Sequence, residues 1–541
     1  MAPDRPGVFG AVQHEGSFLT LVGAILDDTT PDELLSRWIE RREEALTEVP
    51  FHGFVAAFHA PSNEAMLARD KYGVSVGYLA RVPGGVAFSD DISALVLCGA
   101  DPSPHPEALD AFLASGYFPA PLTPYRAVSK LVPGHAVRIA NGEVEASHPW
   151  ASYRKLDPVP VDEASVAMRT LLADAIGRLA PTDGEAALLL SGGIDSAMVA
   201  VGISRYVGAS VRAYTFRYDE YEGDLNEGSA ARATAELLGI PHEEILVGPQ
   251  NVIDDLDDAV GAYGEPFTWG IHSYRLEPIA AAGANAIFSG VGADGWGLSK
   301  RHAAAVRFAR LPPVSRSALR GVVRALRPLG LSVQDKAEWT TQSVYGPAEL
   351  FSPDSEQKRT VRRRVYRDPG LAERGHDRLI EAFDSAVPEF TGTVEHTLIH
   401  LDKRFTSAEA MLAWNRIWPR VHGLRACLPY YDHRLIDVAM NVDGNLTGKD
   451  ILRTLASEHL PASAAQAPKV AQQLPIGQWL RGPLAEPARA RLSEIPTGMG
   501  DIFDPAGVLS ILDDHISGKA DHGWMIMALL TTAAWYRQSH A

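Results

Sequence analysis

The stretch Ser191-Gly192-Gly193-Ile194-Asp195-Ser196 lies between an apolar run, 186–190, and a segment of small residues with helical spacing. The run has the length of a buried strand, and the glycines end it. Glycines between a strand and a helix N-terminus let the backbone approach phosphate oxygens. The helix end adds free N–H groups and the positive end of its dipole. Asp195 is then a candidate to hold Mg²⁺ on a triphosphate, and Ser191 and Ser196 add hydroxyl donors. No Gly-Lys-Ser/Thr follows, so this is not a Walker A loop. A turn that only packs strand on helix needs the same glycines. The strand before, the helix after and Asp195 favour the phosphate reading.

Outward from this loop the alternation continues. Residues 164–179 space Val166, Met168, Leu171, Leu172 and Ile176 as one helix. A second strand is predicted at 211–218. A helix follows from Asn226, a plausible N-cap, to Gly239, a plausible terminator, with Pro241 just beyond. A third strand, 284–289, runs into Ser289-Gly290-Val291-Gly292-Ala293-Asp294. Alternating strands and helices predict a parallel sheet with crossover helices, an α/β domain. The carboxyl ends of parallel strands share one edge, so the Asp294 loop can face the first loop and offer a second carboxylate to the metal. An ordinary turn with a solvated Asp is the alternative. Beyond residue 300 the chain reads as helical. Residues 7–150 read as mostly β, with apolar runs at 8–12, 54–58, 86–88 and 136–139 and turns at Pro83-Gly84-Gly85 and Asn141-Gly142. A polar, proline-containing stretch, 155–160, reads as a linker. The expected domains are 1–155 and 163–541.

Composition narrows the class. Lys plus Arg is 50 and Asp plus Glu is 67 among 541 residues, a net charge of −17. That balance argues against nucleic acid and against an anionic membrane surface. No run of apolar residues is long enough to span a bilayer, and no secretory leader is expected. The two cysteines, Cys98 and Cys427, cannot make a disulfide framework or a cysteine metal cluster, so a cytoplasmic setting is expected.

A third signal lies in the helical region: Leu428-Pro429-Tyr430-Tyr431-Asp432-His433-Arg434-Leu435, then Lys449 with Leu452-Arg453, then Pro468-Lys469. Mobile ammonium groups suit phosphates, although either lysine alone reads equally as a solvated surface residue. The Ser191–Ser196 loop resembles that of the ATP pyrophosphatase (PP-loop) superfamily, whose members cleave ATP to AMP and pyrophosphate. With Leu67-Ala68-Arg69-Asp70, Phe88-Ser89-Asp90, Pro133-Gly134-His135, Glu265-Pro266-Phe267, the Asp294 loop, Tyr431-Asp432-His433-Arg434 and Pro475-Ile476-Gly477, the chain resembles the asparagine synthetase family along nearly its whole length. The resemblance implies an N-terminal glutaminase-type (Ntn-like) α+β domain, then a PP-loop synthetase domain with a parallel sheet and a helical C-terminal part. It implies ATP and Mg²⁺. Leu190, Phe216, Ser289 and Gly290 would line adenosine. Ser191, Gly192, Gly193 and Ser196 would hold phosphates, and Asp195 and Asp294 the metal. Lys469 would stabilise charge during adenylation and acyl transfer, with Lys449 assisting at pyrophosphate.

Departures from the family pattern shape the functional expectation. Family glutaminases begin Cys-Gly-Ile, and the matching stretch here is Pro6-Gly7-Val8, so Pro6 stands in the nucleophile's place. The Asn-Gly-Glu glutamine-binding motif is absent from the matching region, and a degenerate domain without glutaminase activity is expected. Val291 replaces the acidic residue or tyrosine of the Gly-x-Gly loop and cannot take a proton. Arg425 stands where relatives carry a carboxylate, free to bind a substrate carboxylate or to form a structural ion pair. The departures resemble those of lasso-peptide macrolactam cyclases. β-Lactam-synthetase-like ring closure, ammonia-dependent asparagine synthesis and a non-catalytic nucleotide-binding scaffold are the alternatives. The expected substrate is a small molecule or peptide carrying a carboxylate and an amine. Two basic clusters, Lys300, Arg301, Arg307, Arg310, Arg316, Arg320, Arg324 and Arg327, and Lys358, Arg359, Arg362, Arg363, Arg364 and Arg367, read either as solvated helical faces or as docking sites for an acidic peptide or protein partner.

Overall fold

The computed structural model describes residues 8–540 apart from 26, 28, 154–156, 182–183, 220, 222–224, 226, 299, 326–345, 443–448, 466–473 and 495–496. Its N-terminal part holds β1 (Val8–His14), β2 (Ser17–Ile25), β3 (Phe51–His59), β4 (Glu64–Arg69), β5 (Tyr78–Val82), β6 (Gly85–Ser89), β7 (Val128–Lys130), β8 (His135–Ala140), β9 (Glu143–Val144) and β10 (His148–Pro149). They form an antiparallel seven-stranded sheet, β1-β2-β3-β4-β8-β10 with β9 on β8, and a three-stranded sheet, β6-β5-β7. Side chains alternate across β3, so one strand serves two cores. Val55 and Ala57 meet Leu34, Leu35 and Trp38 of the helix Pro31–Arg41. Phe54 and Ala56 meet Leu79 and Leu131 of the second sheet. The far face of β5, Tyr78 and Ala80, packs on Ile92, Leu95, Leu109 and Phe112. The layers are therefore helix, sheet, sheet, helix. The predicted Asn141-Gly142 hairpin is present: both residues have positive φ, 54° and 76°, and Ala140 pairs with Glu143.

The second part is built on β11 (Glu185–Leu189), β12 (Val211–Tyr218), β13 (His242–Val247), β14 (Ala284–Ser289) and β15 (Arg425–Cys427). They form one parallel sheet in the order β13-β12-β11-β14-β15. One face, Ala186, Leu188 and Ala213, is covered by Met168, Leu172 and Ile176 of the helix Val161–Leu179. The other, Ala187, Tyr214 and Phe216, is covered by Leu256 and Val260 and by the last helix, Gly523–Ser539. β13 and β15 add to the three strands read from the sequence. The helix after β12 is Gly228–Leu238 with Glu227 at its N-cap, whereas the expected cap Asn226 lies outside the described residues; Gly239 ends it with φ 69°.

Buried charge fastens the two parts. Arg69 Nη1 lies 2.7 Å from Glu409 Oε1, and Lys130 Nζ lies 2.9 Å from Glu265 Oε2 and 3.2 Å from Glu409 Oε2. Arg362 spans Asp110 (2.8 Å) and Asp354 (2.7 Å). His52 bonds the Tyr431 carbonyl at 2.7 Å. Of the expected linker, Val159 donates to the Asn441 carbonyl at 2.8 Å.

In the second basic cluster most side chains pair within the chain, while Lys358 and Arg367 are exposed. Arg359 pairs with Asp354 and Glu356, Arg363 with Glu356 and Glu373, and Arg364 with Asp514. Arg367 donates to the Gly500 carbonyl and Lys358 to that of Pro353. Arg362 is the buried member, and Arg363 and Arg364 keep about a third of their side chains exposed. Of the first cluster, Arg310 pairs with Glu395 and Arg307 is exposed. The side chains of Lys300, Arg301, Arg316, Arg320, Arg324 and Arg327 lie outside the described set.

Candidate active site

The carboxyl edge of the parallel sheet gathers the predicted loops. Leu189 is level with Tyr214 on one side and Ser289 on the other, so Leu190 and Gly290 leave the sheet together, while Phe216 stays within β12, paired with Ile245. Leu190 N–H donates to the Tyr214 carbonyl at 2.9 Å, and the Thr215 hydroxyl donates to the Leu190 carbonyl. Between Leu190 and the helix Ile194–Val201 the backbone is tied by two hydroxyls. Ser191 N–H donates to Ser196 Oγ (3.0 Å), Gly193 N–H donates to Ser191 Oγ (3.1 Å), and the two hydroxyls are 3.0 Å apart. Ser191 and Ser196 therefore brace the loop itself. No side chain caps Gly193, which leaves the first N–H groups of the helix directed at the edge.

Close backbone approach explains the glycines. A Cβ on Gly290 would stand 2.5 Å from Ser196 N, and one on Gly192 would stand 2.9 Å from Ala230 Cβ. Gly292 has φ 120°, and a Cβ there would stand 2.5 Å from Tyr431 Cε2.

The central electrostatic feature is Lys449, whose Nζ lies 2.6 Å from Asp195 Oδ2. The two residues are 254 apart in sequence. Tyr430 OH donates to the Asp195 carbonyl at 2.8 Å, which fixes the first turn of the helix. Asp294 lies in the single turn Ala293–Trp296 after the Gly-x-Gly loop, and its side chain lies outside the described set. Lys469 also lies outside the described residues. The donor set fits a magnesium ion: Asp195 supplies a hard oxygen at the loop, and Mg²⁺ commonly takes one or two carboxylates with the rest from phosphate and water. Among the described residues no cluster of three His, Cys, Asp or Glu side chains forms a metal cage.

Other expectations are relocated. The Phe216 ring turns into the core, 3% exposed, edge-on to His272 at 5.5 Å. Arg425 is at the opposite end of the sheet: it pairs with Ala286 and donates to the Leu179 carbonyl at 2.8 Å, which makes it a strut for the helix Val161–Leu179. Cys427 is buried beside it, its thiol pushed up to about 11 by burial. Arg434 bonds Asp432 and Asp174, and Asp432 caps the helix His433–Met440, so the Tyr431–Arg434 motif is architectural.

Three nearby residues escaped the sequence reading. Glu227 lies against the loop, its Cβ 3.5 Å from where a Cβ on Gly192 would stand, and burial pushes its carboxyl up to about 7. Lys403 donates to the Gly292 carbonyl at 2.5 Å and lies 5.0 Å above the Tyr431 ring. His272 is held neutral, near 4, by burial. Only Glu227, beside a predicted helix start, carried a local signal.

The fold and its edge define a class: a PP-loop-type α/β domain joined to a four-layer amidotransferase-type domain. The chain belongs to the asparagine synthetase family, an amide synthetase family. The Asparagine synthase family model matches residues 167–537, and the Glutamine amidotransferase domain model matches 34–151. The chain is 24% identical over 534 residues to "Asparagine synthetase [glutamine-hydrolyzing] 1" of Bacillus subtilis, covering 94% of this chain and 81% of that protein. It is 25% identical to the "Putative asparagine synthetase [glutamine-hydrolyzing]" of Mycobacterium bovis, over 89% of this chain and 75% of that one. "Amidase chry2" of Gibberella zeae matches 43% of this chain and 37% of its own length at 25% identity. No helix among the described residues is long and apolar enough to cross a membrane.

Proposed function

We propose that this protein is an ATP-dependent, AMP-forming amide synthetase that adenylates a carboxylate and joins it to an amine, closing a macrolactam ring on a peptide in the manner of lasso-peptide cyclases. The observation that carries the synthetase reading is the Lys449–Asp195 pair at 2.6 Å on the phosphate-type loop. A cation and a hard carboxylate are set where pyrophosphate would leave. A substrate carboxylate oxygen attacks the α-phosphorus of ATP, pyrophosphate departs, and the mixed anhydride offers AMP as leaving group. The amine then attacks the acyl carbon, AMP leaves, and the ammonium proton passes to solvent or phosphate. The uncapped N–H groups after Gly193 and the Lys449 ammonium neutralise charge on the phosphates. Lys469 is the proposed cation at the acyl-transfer step. Asp195, with Asp294, would hold Mg²⁺, which screens the triphosphate when bound.

The ring-closing reading rests on Val291 and on the N-terminal domain. Val291 packs its side chain against the apolar core, so the Gly-x-Gly loop supplies no proton acceptor of its own. In the amidotransferase-type domain, residues 1–155 on this reading, Pro6 stands in the nucleophile's position. Cys98 is exposed at the end of the helix Ile92–Leu97, and Cys427 is buried in the other domain, residues 163–541. Glutamine is therefore not the nitrogen source. Asparagine formation from free ammonia is the second reading: the names of the relatives favour asparagine as the product, although those names carry glutamine as the nitrogen source. Incubating the protein with ATP and a panel of peptide and amino-acid carboxylates, with ammonium or glutamine supplied in parallel, read by mass spectrometry, tests all of this. Loss of one water from a peptide supports ring closure, and conversion of aspartate to asparagine overturns it. Release of glutamate from glutamine overturns the inactive glutaminase.

A further inference from the structure

A cavity of about 990 Å³ lies between the two domains, apart from the phosphate loop. One wall is the end of the N-terminal domain's helix Pro106–Ser115 with Gly116 and Tyr117. The others come from Thr268 and Trp269, from the helix Glu356–Arg363, from Asp402 and Thr406, and from the start of the helix Gly523–Ser539. We propose that this cavity binds the body of a peptide substrate, an apolar and aromatic chain of several residues whose carboxylate is presented to the Gly-x-Gly loop. This rests on the synthetase reading above and names its substrate class.

Two observations converge. The first is continuity with the reaction edge. Asp402 lines the cavity, while the next residue, Lys403, grips the Gly292 carbonyl at 2.5 Å. A chain seated in the cavity is thereby adjacent to the loop that carries Val291. The second is size and lining. The volume is at the upper end of ordinary ligand sites, roughly 300–1,000 Å³, and aspartate would leave it mostly empty. Trp269 and Trp524 face each other with ring centroids 6.3 Å apart, both half-buried, and Phe351 and Tyr117 extend the aromatic wall. Half-buried indoles bind apolar side chains well because they present large rigid surfaces.

The placement also gives the amidotransferase-type domain a task that needs no glutamine. Gly116, with φ 87°, leaves room for the Trp269 ring to lie against the helix end, where any Cβ would collide with it. The domain thus positions one indole of the pair.

The experiment uses the full chain and an equimolar library of apolar hexapeptides with free carboxylates, with aspartate as the small-acid control. Binding is read by saturation-transfer NMR, and adenylation by carboxylate-dependent exchange of pyrophosphate into ATP. Peptides carrying Trp or Phe should bind and aspartate should not displace them. Trp524→Ala should weaken peptide binding at least tenfold. Gln357→Trp, at an exposed site on the cavity mouth, should do the same by filling the space, while ATP binding stays unchanged. Peptide binding no better than that of aspartate overturns the proposal, and so does binding indifferent to both substitutions. Peptide binding without pyrophosphate exchange overturns the synthetase reading and leaves the cavity assignment standing. Exchange driven by aspartate alone overturns the cavity assignment and leaves the synthetase reading standing.

Discussion

Lys449 and Asp195 show how much of a site single residues can declare. Their types and motifs were readable, and the fold alone supplied the 2.6 Å contact across 254 residues. Lys449→Ala should lower kcat/KM for pyrophosphate release by about 10²–10³, the scale of losing one charge-stabilising donor. The melting temperature should fall as well, because the pair is largely buried, with Lys449 12% and Asp195 19% exposed. Steady-state assays beside thermal melts check both, and full activity removes Lys449 from the chemistry. Glu227 offered only its place beside a helix start, because its burial depends on packing over the loop. Its carboxyl titrates near 7 rather than in the usual range, so the folded protein holds a proton that the unfolded chain releases near 4.5. That contribution to stability is complete below the unfolded value and is lost as pH rises through about 7. Above it, an ionised carboxylate also faces any incoming phosphate. ATP affinity should therefore fall between pH 6 and 8, roughly, and Glu227→Gln should flatten that fall. Titration calorimetry with ATP across this range decides it, and parallel profiles for both proteins would exclude Glu227 from the effect.

At the level of elements, β11 and β14 were legible as apolar runs ending in glycine loops, and β12 as a strand between them in sequence. β13 was not, because His242-Glu243-Glu244 begins it with polar residues. Such a sequence suits an edge strand with one partner, β12, and an open far side. β15 has three residues, too few for periodicity, and exists because β14 offers it an edge. The clearest element-scale constraint is the contact of the β14 loop with the helix Ile194–Val201. Gly290→Ala places a methyl against backbone, which cannot rotate away, and the loop must back off. The expected cost is about 1–3 kcal/mol of stability, with at least tenfold weaker ATP binding, measured by chemical denaturation and by calorimetry. Wild-type affinity in this variant would mean that the two loops do not act together on the nucleotide.

At the scale of the whole molecule, the pairing of the second basic cluster was not legible, because charge partners are invisible along a sequence. Asp110 is 252 residues from Arg362, and Asp514 is 150 from Arg364. The same holds for the interdomain set. Lys130 sits on β7 of one domain, while Glu265 and Glu409 come from the other, and all three side chains are at most 3% exposed. Burial drives the Glu265 carboxyl up and the Lys130 ammonium draws it back, so the carboxylate depends on that one cation more than on any other group near it. Lys130→Met removes the ammonium and leaves two buried carboxylates with Arg69 as their nearest compensation. The loss should be about 3–5 kcal/mol, the usual result of stripping one partner from a buried ion pair. Adding Glu265→Gln should recover part of it, because the uncompensated charge goes with the substitution. Since the set bridges the domains, the loss should be felt by both. Calorimetry of the single variant should show one transition displaced as a whole, with tryptophans of either domain reporting the same midpoint. A low-temperature transition confined to the amidotransferase-type domain would mean that it folds independently of the synthetase domain, and that the buried charges specify how the halves dock without holding them together.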